Sequence, residues 1–444
     1  MINLNCAVLL FSVCRNIISF LRATFLNKIV PFDEAIVFHK IVAVSICFWT
    51  FVHCVAHYFN YMLISKATKT TTPMFLSFVS GPGLSGQIIT LALVLIVTSA
   101  VSKIRRSNHE IFWYTHHLFI VFFVGLLAHG SFCFIKADPG PGVDVCRGGP
   151  TFWKWWVLSA AVYLAERILR AWRARSIKVT KVIQHPSDVY EIQFEKKFNY
   201  VSGQYVFICC PKLAWNQWHP FTITSSPHEK FISCHIRIVG DWTKAFSDLL
   251  NSSPETRIRI DGPYGTPSED VLKREIAILV GGGIGVTPFA SLLKSIFYHS
   301  ISSRRERPPK VYFIWICRDT YSFEWFQSLI ATLEQEPIDL EIQMYLTGKL
   351  DDDKILNISI TDDHRQDPLT GCRHKTFYGR PNFNRILAKI KDDNRGKDIY
   401  AYCCGPKSIS NNLLKACQTW TDETTKFYFG RGKIFVRFKS SHSF

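Results

Sequence analysis

Six histidines fall inside two apolar stretches of this chain, and imidazole is both a metal ligand and a proton carrier near neutral pH. FHKIVAVSICFWTFVHCVAHYF carries His39, His53 and His57; FWYTHHLFIVFFVGLLAHG carries His116, His117 and His129. Each stretch is long enough to cross a bilayer, which takes roughly 20 apolar residues, and ionisable residues inside a span are costly and mark function. His39 and His53 are 14 residues apart, about 21 Å of helix rise and nearly a whole number of turns, so they share a face at two depths. His116 and His129 are 13 apart, a similar rise but rotated by more than a third of a turn on an ideal helix, at 3.6 residues per turn. The second helix therefore needs a bend or local unwinding, for which Gly125 is one candidate site. Parallel helices with histidines matched at two levels suit two stacked haems, each held by one imidazole per helix. The alternative for any single residue is a satisfied core histidine or an interfacial anchor. His117 competes with His116 for the inner position. His57 lies one turn beyond His53, facing whatever meets the outer group.

A second set of residues lies in the C-terminal half. GGGIGVTPFASLL, residues 281–293, follows a strand-like run and opens a helical one. Gly281, Gly282, Gly283 and Gly285 let the backbone approach a pyrophosphate, whose charge the helix N-terminus favours. Thr287 and Pro288 suit the first turn of that helix. The context reads as dinucleotide binding, with a plain tight turn as the alternative. Arg318 ends the next strand-like run, where sheet ligands bind; there it can hold a 2′-phosphate and choose NADPH over NADH. Arg380, in FYGRP, is a second candidate, and a solvated charge is the other reading of each. Cys404, before Gly405-Pro406, could approach a nicotinamide, or is a buried thiol before a turn. His219-Pro220-Phe221-Thr222 offers an aromatic and a hydroxyl to a flavin ring, although taken alone it reads as a structural turn. Arg237, in HIRIVGDWT, stands on a strand before a Gly-Asp turn, placed for a flavin phosphate.

The elements that must position these groups divide the chain in two. Its 444 residues suit two or three domains, and the long apolar runs concentrate in the first 172. Spans are expected at about 2–21, 39–61, 82–101, 111–135 and 152–169. The first carries Arg15 in its middle and has neither the leading charge nor the small-residue ending of a signal peptide. Lys and Arg cluster at 22–38, 102–110 and after 166, which puts those segments on the cytoplasmic side. With five spans and the C-terminal half inside, the chain must start outside, so a missing upstream span is expected, with insertion of the first span as a reverse anchor as the alternative. From Ser176 the pattern turns to β-branched runs that suggest a small antiparallel barrel, and from about 275 strands alternate with helices, as in a parallel sheet wound on both faces. The net charge of +17 suits membrane edges and polyanionic cofactors. No basic stripe with interleaved aromatics is present, which argues against nucleic acid. The 14 cysteines have no regular or metal-ligand spacing, and fit a reduced, cytosol-facing soluble half. Cys209-Cys210 and Cys403-Cys404 are adjacent pairs on expected strands, pointing to opposite faces. No calcium loop and no internal repeat occur.

HPFTITS, HIRIVGDWT, DGPYGT, LVGGGIGVTPFASLLKS, CRDTYSFEWF, YLTG, YGRPNF and CCGP, in that order, resemble the NADPH oxidases. So do NLNCAVLLFSVCRN, FHK, VAHYFN and RRSNHEIFWYTHHLF in the membrane part. The resemblance covers nearly the whole chain and is nearer the phagocyte-type catalytic subunit than the calcium-regulated kind. It implies a ferric reductase-like helical haem bundle at 1–172, then a ferredoxin-NADP reductase-like module with a FAD-binding β-barrel at 173–268 and an NADPH-binding α/β domain at 269–444. It implies two b-type haems, His39 with His116 at the inner one and His53 with His129 at the outer one, and His57 near the oxygen-reducing site. It implies FAD at His219, Pro220, Phe221, Thr222 and Arg237, and NADPH at Gly282, Gly283, Gly285, Thr287, Pro288, Arg318, Arg380 and Cys404. Electrons would pass from cytosolic NADPH through FAD and the haems to molecular oxygen, giving superoxide on the far side of a plasma or phagosome-type membrane. A ferric-chelate reductase of the same architecture and an inactive truncated form are the alternatives. The implied partners are cytosolic activators, including a small GTPase, and a small integral membrane subunit. Departures from the family pattern are the absent first span, the short connection at 136–151, and a tail that displaces the terminal aromatic, Phe444.

Overall fold

The computed structural model describes residues 1–132, 152–302, 309–348, 367, 369–430 and 435–437; the connection at 136–151 and Phe444 lie outside them. The chain divides into two compact units, Met1–Ile18 with Ala35–Leu169, and Ser19–Glu34 with Arg170–Phe444.

The first unit is helical: α1 Ile2–Phe11, α2 Arg15–Arg22 (whose end passes into the second unit), α3 Ala35–Thr68, α4 Pro73–Phe78, α5 Gly81–Ser99, α6 Ser102–Ser107, α7 His109–His116, α8 Phe119–Ser131 and α9 Val157–Arg173. Among the described residues three stretches are long and apolar enough to cross a bilayer, within Phe32–Thr68, Gly81–Ser99 and Glu110–Ser131. Two of the five expected spans come out differently. The 2–21 run is not one rod: α1 and α2 are bent by 73°, so the run counts as a fourth span only if the bent pair crosses as one. The break places Arg15 at the start of a helix, where Glu166, 5% exposed, accepts from the backbone N–H groups of Asn16 (3.0 Å) and Ile17 (3.4 Å), an acidic cap at a positive helix end. The 152–169 run is a 3-10 turn followed by the 17-residue α9, at the lower limit of what a bilayer needs and ending in Arg167, Arg170 and Arg173.

The second unit holds two sheets. Strands β1 Arg175–His185, β2 Val189–Glu195, β3 Tyr205–Cys209, β4 His219–Thr222, β5 Phe231–Arg237 and β6 Arg257–Tyr264 form an antiparallel sheet in the order β4-β3-β6-β1-β2-β5. Alternate residues fill its interior, among them Ile177, Val179, Ile192, Phe194, Val206 and Ile258, with Phe246 and Leu250 of α10, Asp241–Ser252, laid against them. The HPFT segment is not the turn its composition suggests but the edge strand β4, and an edge is where a proline, lacking a donor, is tolerated.

The other sheet contains β7 Ile276–Gly282, β8 Lys310–Cys317, β9 Leu340–Leu346, β10 Thr376–Tyr378, β11 Asp398–Cys404, β12 Lys426–Gly430 and β13 Phe435–Arg437, in the order β10-β9-β8-β7-β11-β12-β13. All neighbours are parallel except β12 and β13. Strand β7 is buried on both faces: Ala277 and Leu279 join α11, Thr287–Ser302, while Ile276, Ile278 and Val280 join the helices Phe383–Asp393 and Lys407–Trp420. Each of the leucine, isoleucine and valine side chains contributes about 1.5–3 kcal/mol when fully buried. Cys403 and Cys404 fall on opposite faces, as neighbours on a strand must. Sequential strands run outward from β7 through β8 to β9, whereas β11 lies on β7's other side, so the carboxyl ends of β7 and β11 flank the crevice where such sheets take ligands.

Candidate functional site

In the membrane unit, α3 faces α7 and α8 through histidines at two levels. The rings of His39 and His116 have centroids 6.3 Å apart, and those of His53 and His129 are 6.1 Å apart. An imidazole centre lies about 1.1 Å from its nitrogens, so two rings on one metal with bonds of about 2.0 Å sit with centres about 6 Å apart. Both pairs have that spacing. Ser12 Oγ lies 2.9 Å from Nδ1 of His39, and Ser85 Oγ 3.0 Å from Nδ1 of His129; each contact orients its ring and leaves the other nitrogen for a metal. Nδ1 of His116 is buried with no hydrogen-bond partner among the described residues, a state buried polar groups avoid unless a further group completes them. The Nδ1 of His117 lies 2.7 Å from the Trp113 carbonyl of its own helix, whereas it is the ring of His116 that stands 6.3 Å from His39. The residues present therefore fit two bis-imidazole haems, with His116 rather than His117 in the inner pair.

Gly125 is not where the second helix adjusts. Between α7 and α8 the backbone tightens instead: the N–H groups of His117, Leu118 and Ile120 donate to the carbonyls three residues back, of Tyr114, Thr115 and His117. A 3-10 step turns about 20° further per residue than an α step, which carries His129 round toward the face of His116. Gly125 serves helix packing: a Cβ there would stand 2.3 Å from Ile89 Cγ2 of α5, the small-residue contact that lets spans approach in lipid. Gly86 likewise faces His129, whose Cε1 would be 3.2 Å from its Cβ.

Around the outer pair lies a cavity of about 500 Å³ lined by His53, His57, Tyr58, Tyr61, Gln87 and His129 among others. His57 stands with its ring centroid 4.4 Å from that of His53 and 5.9 Å from that of Tyr61. Gln87 Nε2 donates to the Tyr58 hydroxyl at 2.7 Å.

In the second unit, β4 lies along β3 with His219 opposite Ile208 and Thr222 opposite Tyr205. The composition did not single out Trp242, in the first turn of α10. Its indole stacks on His219 with centroids 4.0 Å apart, and on Phe246 at 4.9 Å, while Phe221 lies 6.2 Å from it. The GDWT sequence, a helix start after a strand end, was the only signal for it. Arg237 ends β5 opposite Val189, and its Nη1 lies 4.0 Å from where a Cβ on Gly283 would be. The barrel arginine and the glycine turn thus meet.

That turn is a 3-10 turn, Gly283–Val286, running into α11. Gly283 has φ +54°, open to glycine without cost. Gly285 presses on the neighbouring strand end: a Cβ would lie 2.3 Å from the Cys404 carbonyl oxygen, and one on Gly282 2.9 Å from Pro406 Cδ. The glycine turn and Cys404 are therefore brought together at the switch point. Thr287 spends its hydroxyl on the Ile284 carbonyl at 3.0 Å, and Pro288 occupies the first turn. Burial raises the Cys404 thiol above its ordinary value. Arg318 and Arg380 follow β8 and β10 at the same sheet end, both exposed. The two sheets are joined by serines: Ser291 Oγ donates to the Ser225 carbonyl at 2.6 Å, and Ser226 Oγ meets Ser295 Oγ at 2.9 Å. Arg22, which the sequence places among the membrane-edge cations, is instead 8% exposed and bonded to Asp33 (2.9 Å), Glu269 (3.5 Å) and Asp270 (3.4 Å).

Comparison with known proteins agrees with this division. Family models match in series: "Ferric reductase like transmembrane component" at residues 1–127, "FAD-binding domain" at 174–268 and "Ferric reductase NAD binding domain" at 275–418. A superoxide-generating NADPH oxidase heavy chain of Dictyostelium discoideum is 43% identical over 97% of this chain and 87% of its own length. NADPH oxidase 1 of Mus musculus is 38% identical over 97% and 85%, and NADPH oxidase 3 of Homo sapiens 35% identical over 97% and 89%. With a transmembrane component, an FAD-binding barrel and an NAD-binding sheet in one polypeptide, the chain is an integral membrane oxidoreductase and belongs to the NADPH oxidase family.

Proposed function

We propose that the chain takes electrons from NADPH on the cytoplasmic side of a membrane and delivers them to molecular oxygen on the other, releasing superoxide. The observation that carries this is the pair of imidazole sandwiches, 6.3 and 6.1 Å between ring centres, each spaced for one metal, on helices long enough to span lipid. Flavin, haem and nicotinamide supply, when bound, the electron-transfer chemistry that side chains lack.

The residues divide the work. His39 with His116 would hold the inner haem and His53 with His129 the outer one. Serine contacts at His39 and His129 fix two of these rings. With His53 and His129 both committed to the outer haem, the cavity beside His57 is where these residues would admit oxygen. There an imidazole N–H can hydrogen-bond the developing anion, a charge-assisted contact. His219–Thr222, with Trp242 stacked behind, form a wall for the flavin ring, and Arg237 neutralises its phosphate. Gly282, Gly283 and Gly285 admit the nicotinamide dinucleotide's pyrophosphate to the start of α11, with Cys404 beside its reactive end. Arg318 and Arg380 are the cations available to a 2′-phosphate.

The orientation rests on the Lys and Arg excess at 102–110 and after 166. It gives cytosolic flavin and NADPH sites, in a plasma or phagosome-type membrane. Cytosolic activators with a small GTPase, together with a small membrane subunit, are the partners the family resemblance suggests. Reduced-minus-oxidised spectra of the purified chain in lipid test the core of the proposal. Two low-spin b-type haems per chain, reduced by NADPH under anaerobic conditions and reoxidised by air with superoxide release, are expected; a chain with bound flavin and no such signal would refute it.

A further inference from the structure

Three side chains on the barrel remain unused by this scheme. His185 of β1, Glu191 of β2 and His235 of β5 converge so that one ligand atom from each lies within 4.8 Å of the others. Glu191 pairs directly across the ladder with His235, and His185 is its diagonal neighbour on the other side. We propose that these residues form a binding site for one divalent cation of the zinc type.

The geometry fits that ion. Glu191 Oε2 lies 3.4 Å from His185 Nε2 and 3.8 Å from His235 Nε2. Tetrahedral zinc with bonds of about 2.0–2.1 Å holds its ligand atoms about 3.3–3.4 Å apart; the two spacings to Glu191 are within a few tenths of an ångström of that, and the two imidazole nitrogens lie within 4.8 Å of each other. The outer contacts are also in place. Thr224 Oγ1 holds Nδ1 of His235 at 2.8 Å, and Gln193 Nε2 donates to Glu191 Oε1 at 2.9 Å. Each contact turns the remaining ligand atom inward, as second-layer hydrogen bonds do at zinc sites. The His235 side chain is 3% exposed, and its Nε2 has no hydrogen-bond partner among the described residues: an imidazole nitrogen pointed into the cluster with nothing yet to bind. His185, with 18% of its side chain exposed, gives an ion a way in. Two imidazoles and a carboxylate are a zinc set with a fourth position open to water.

A cation there would tie the β1–β2 hairpin to β5. The hairpin tip already reaches the nucleotide half: Ser187 Oγ donates to Asp319 at 2.6 Å and Trp325 Nε1 to the Pro186 carbonyl at 2.8 Å. His235 itself packs on Phe326, 4.7 Å between centroids, and Arg237 is two residues along the same face of its strand. The ion would thus stiffen the joint between the flavin barrel and the nucleotide sheet.

The test uses the full-length chain in lipid nanodiscs, loaded with flavin and haem, stripped with a chelator, then titrated with zinc chloride and measured for bound zinc after gel filtration. Wild type should retain one equivalent more than His185→Ala and Glu191→Gln, each of which should bind at least about 100-fold more weakly. Thr224→Val should weaken binding by about 10- to 100-fold through the lost second-layer contact. Equal zinc in wild type and both variants, all with intact haem and flavin spectra, would overturn the proposal. Should a variant fail to fold, zinc-edge X-ray absorption on wild type decides alone. A shell of nitrogen and oxygen at about 2.0 Å with imidazole scattering supports the site; a sulfur shell, or no saturable uptake, rejects it.

Discussion

The membrane unit and the soluble unit bury their apolar residues by opposite logics. In the helical unit large side chains face outward, as Phe51 (68% exposed), Leu91 (60%) and Val124 (60%) do, because lipid takes the place of a protein core. The interior is a small cluster around Ile46, Ile89 and Phe122, and what distinguishes inside from outside is where glycines and histidines fall. In the soluble unit the apolar residues fill two dense cores around the parallel sheet and a third inside the barrel, and its buried polar groups, such as Ser225 and Ser291, find one another. Polar exceptions are therefore the informative residues in lipid, whereas in water the apolar pattern is.

The largest effect that could break this contrast is loss of the outer imidazole pair. His53→Leu with His129→Leu should remove about half the haem and abolish superoxide release, while flavin content and NADPH binding persist. Haem and flavin lost together would show that the two units do not fold independently of the cofactors. Next is His57→Leu, which should lower superoxide release about 10- to 100-fold, the worth of one hydrogen bond to an anion, and leave both haem spectra unchanged. Loss of haem instead would make His57 a packing residue.

In the soluble unit Gly285→Ala sets a methyl against a backbone carbonyl that cannot move aside. It should cost about 1–3 kcal/mol of that unit's stability, as overpacking does, and raise the KM for NADPH, with haem spectra intact. The smallest effect is pH dependence, measured on chelator-treated protein by thermal denaturation. Burial, above all, holds the His235 imidazole down to about 3, whereas in the unfolded chain it titrates at about 6.5. Between those values the unfolded state binds the extra proton, so stability falls as pH drops below about 6.5. Glu191 acts in the same direction lower down. Burial pushes its carboxyl up, but the hydrogen bonds from His185 and Gln193 work against that, and the carboxyl comes to about 2. His235→Phe should flatten the upper part of the profile; an unchanged profile would show that His235 is not buried neutral.

Much of the architecture could be read from the residues because local periodicity carried it. Strands β1, β2, β5, β7, β8, β9 and β11 fall on runs whose patterning announces them, and the histidine pairs follow from helix rise. What escaped depended on partners remote in the chain. Arg22 reads as a loose basic residue until Glu269 and Asp270 arrive, 247 and 248 positions away. The His185, Glu191 and His235 cluster appears only once strand register is known, since no spacing of 6 and 44 residues suggests a site. Trp242 was hidden because an indole at a helix start looks like any core aromatic until β4 lays His219 on it. The break in the 2–21 run was foreshadowed by Arg15, but its cap, Glu166, comes from the last helix of the unit.

The overwound stretch between α7 and α8 acts as a phase corrector. One helix counts fourteen residues between its imidazoles and its partner thirteen, so two ordinary coils would drift out of step along the membrane normal. Tightening three hydrogen bonds within four residues, those of His117, Leu118 and Ile120, brings the shorter count back toward the same meridian. Inserting a single residue between His117 and Gly125 should make that correction redundant, and a chain so altered ought to keep both redox centres while losing the short-range winding.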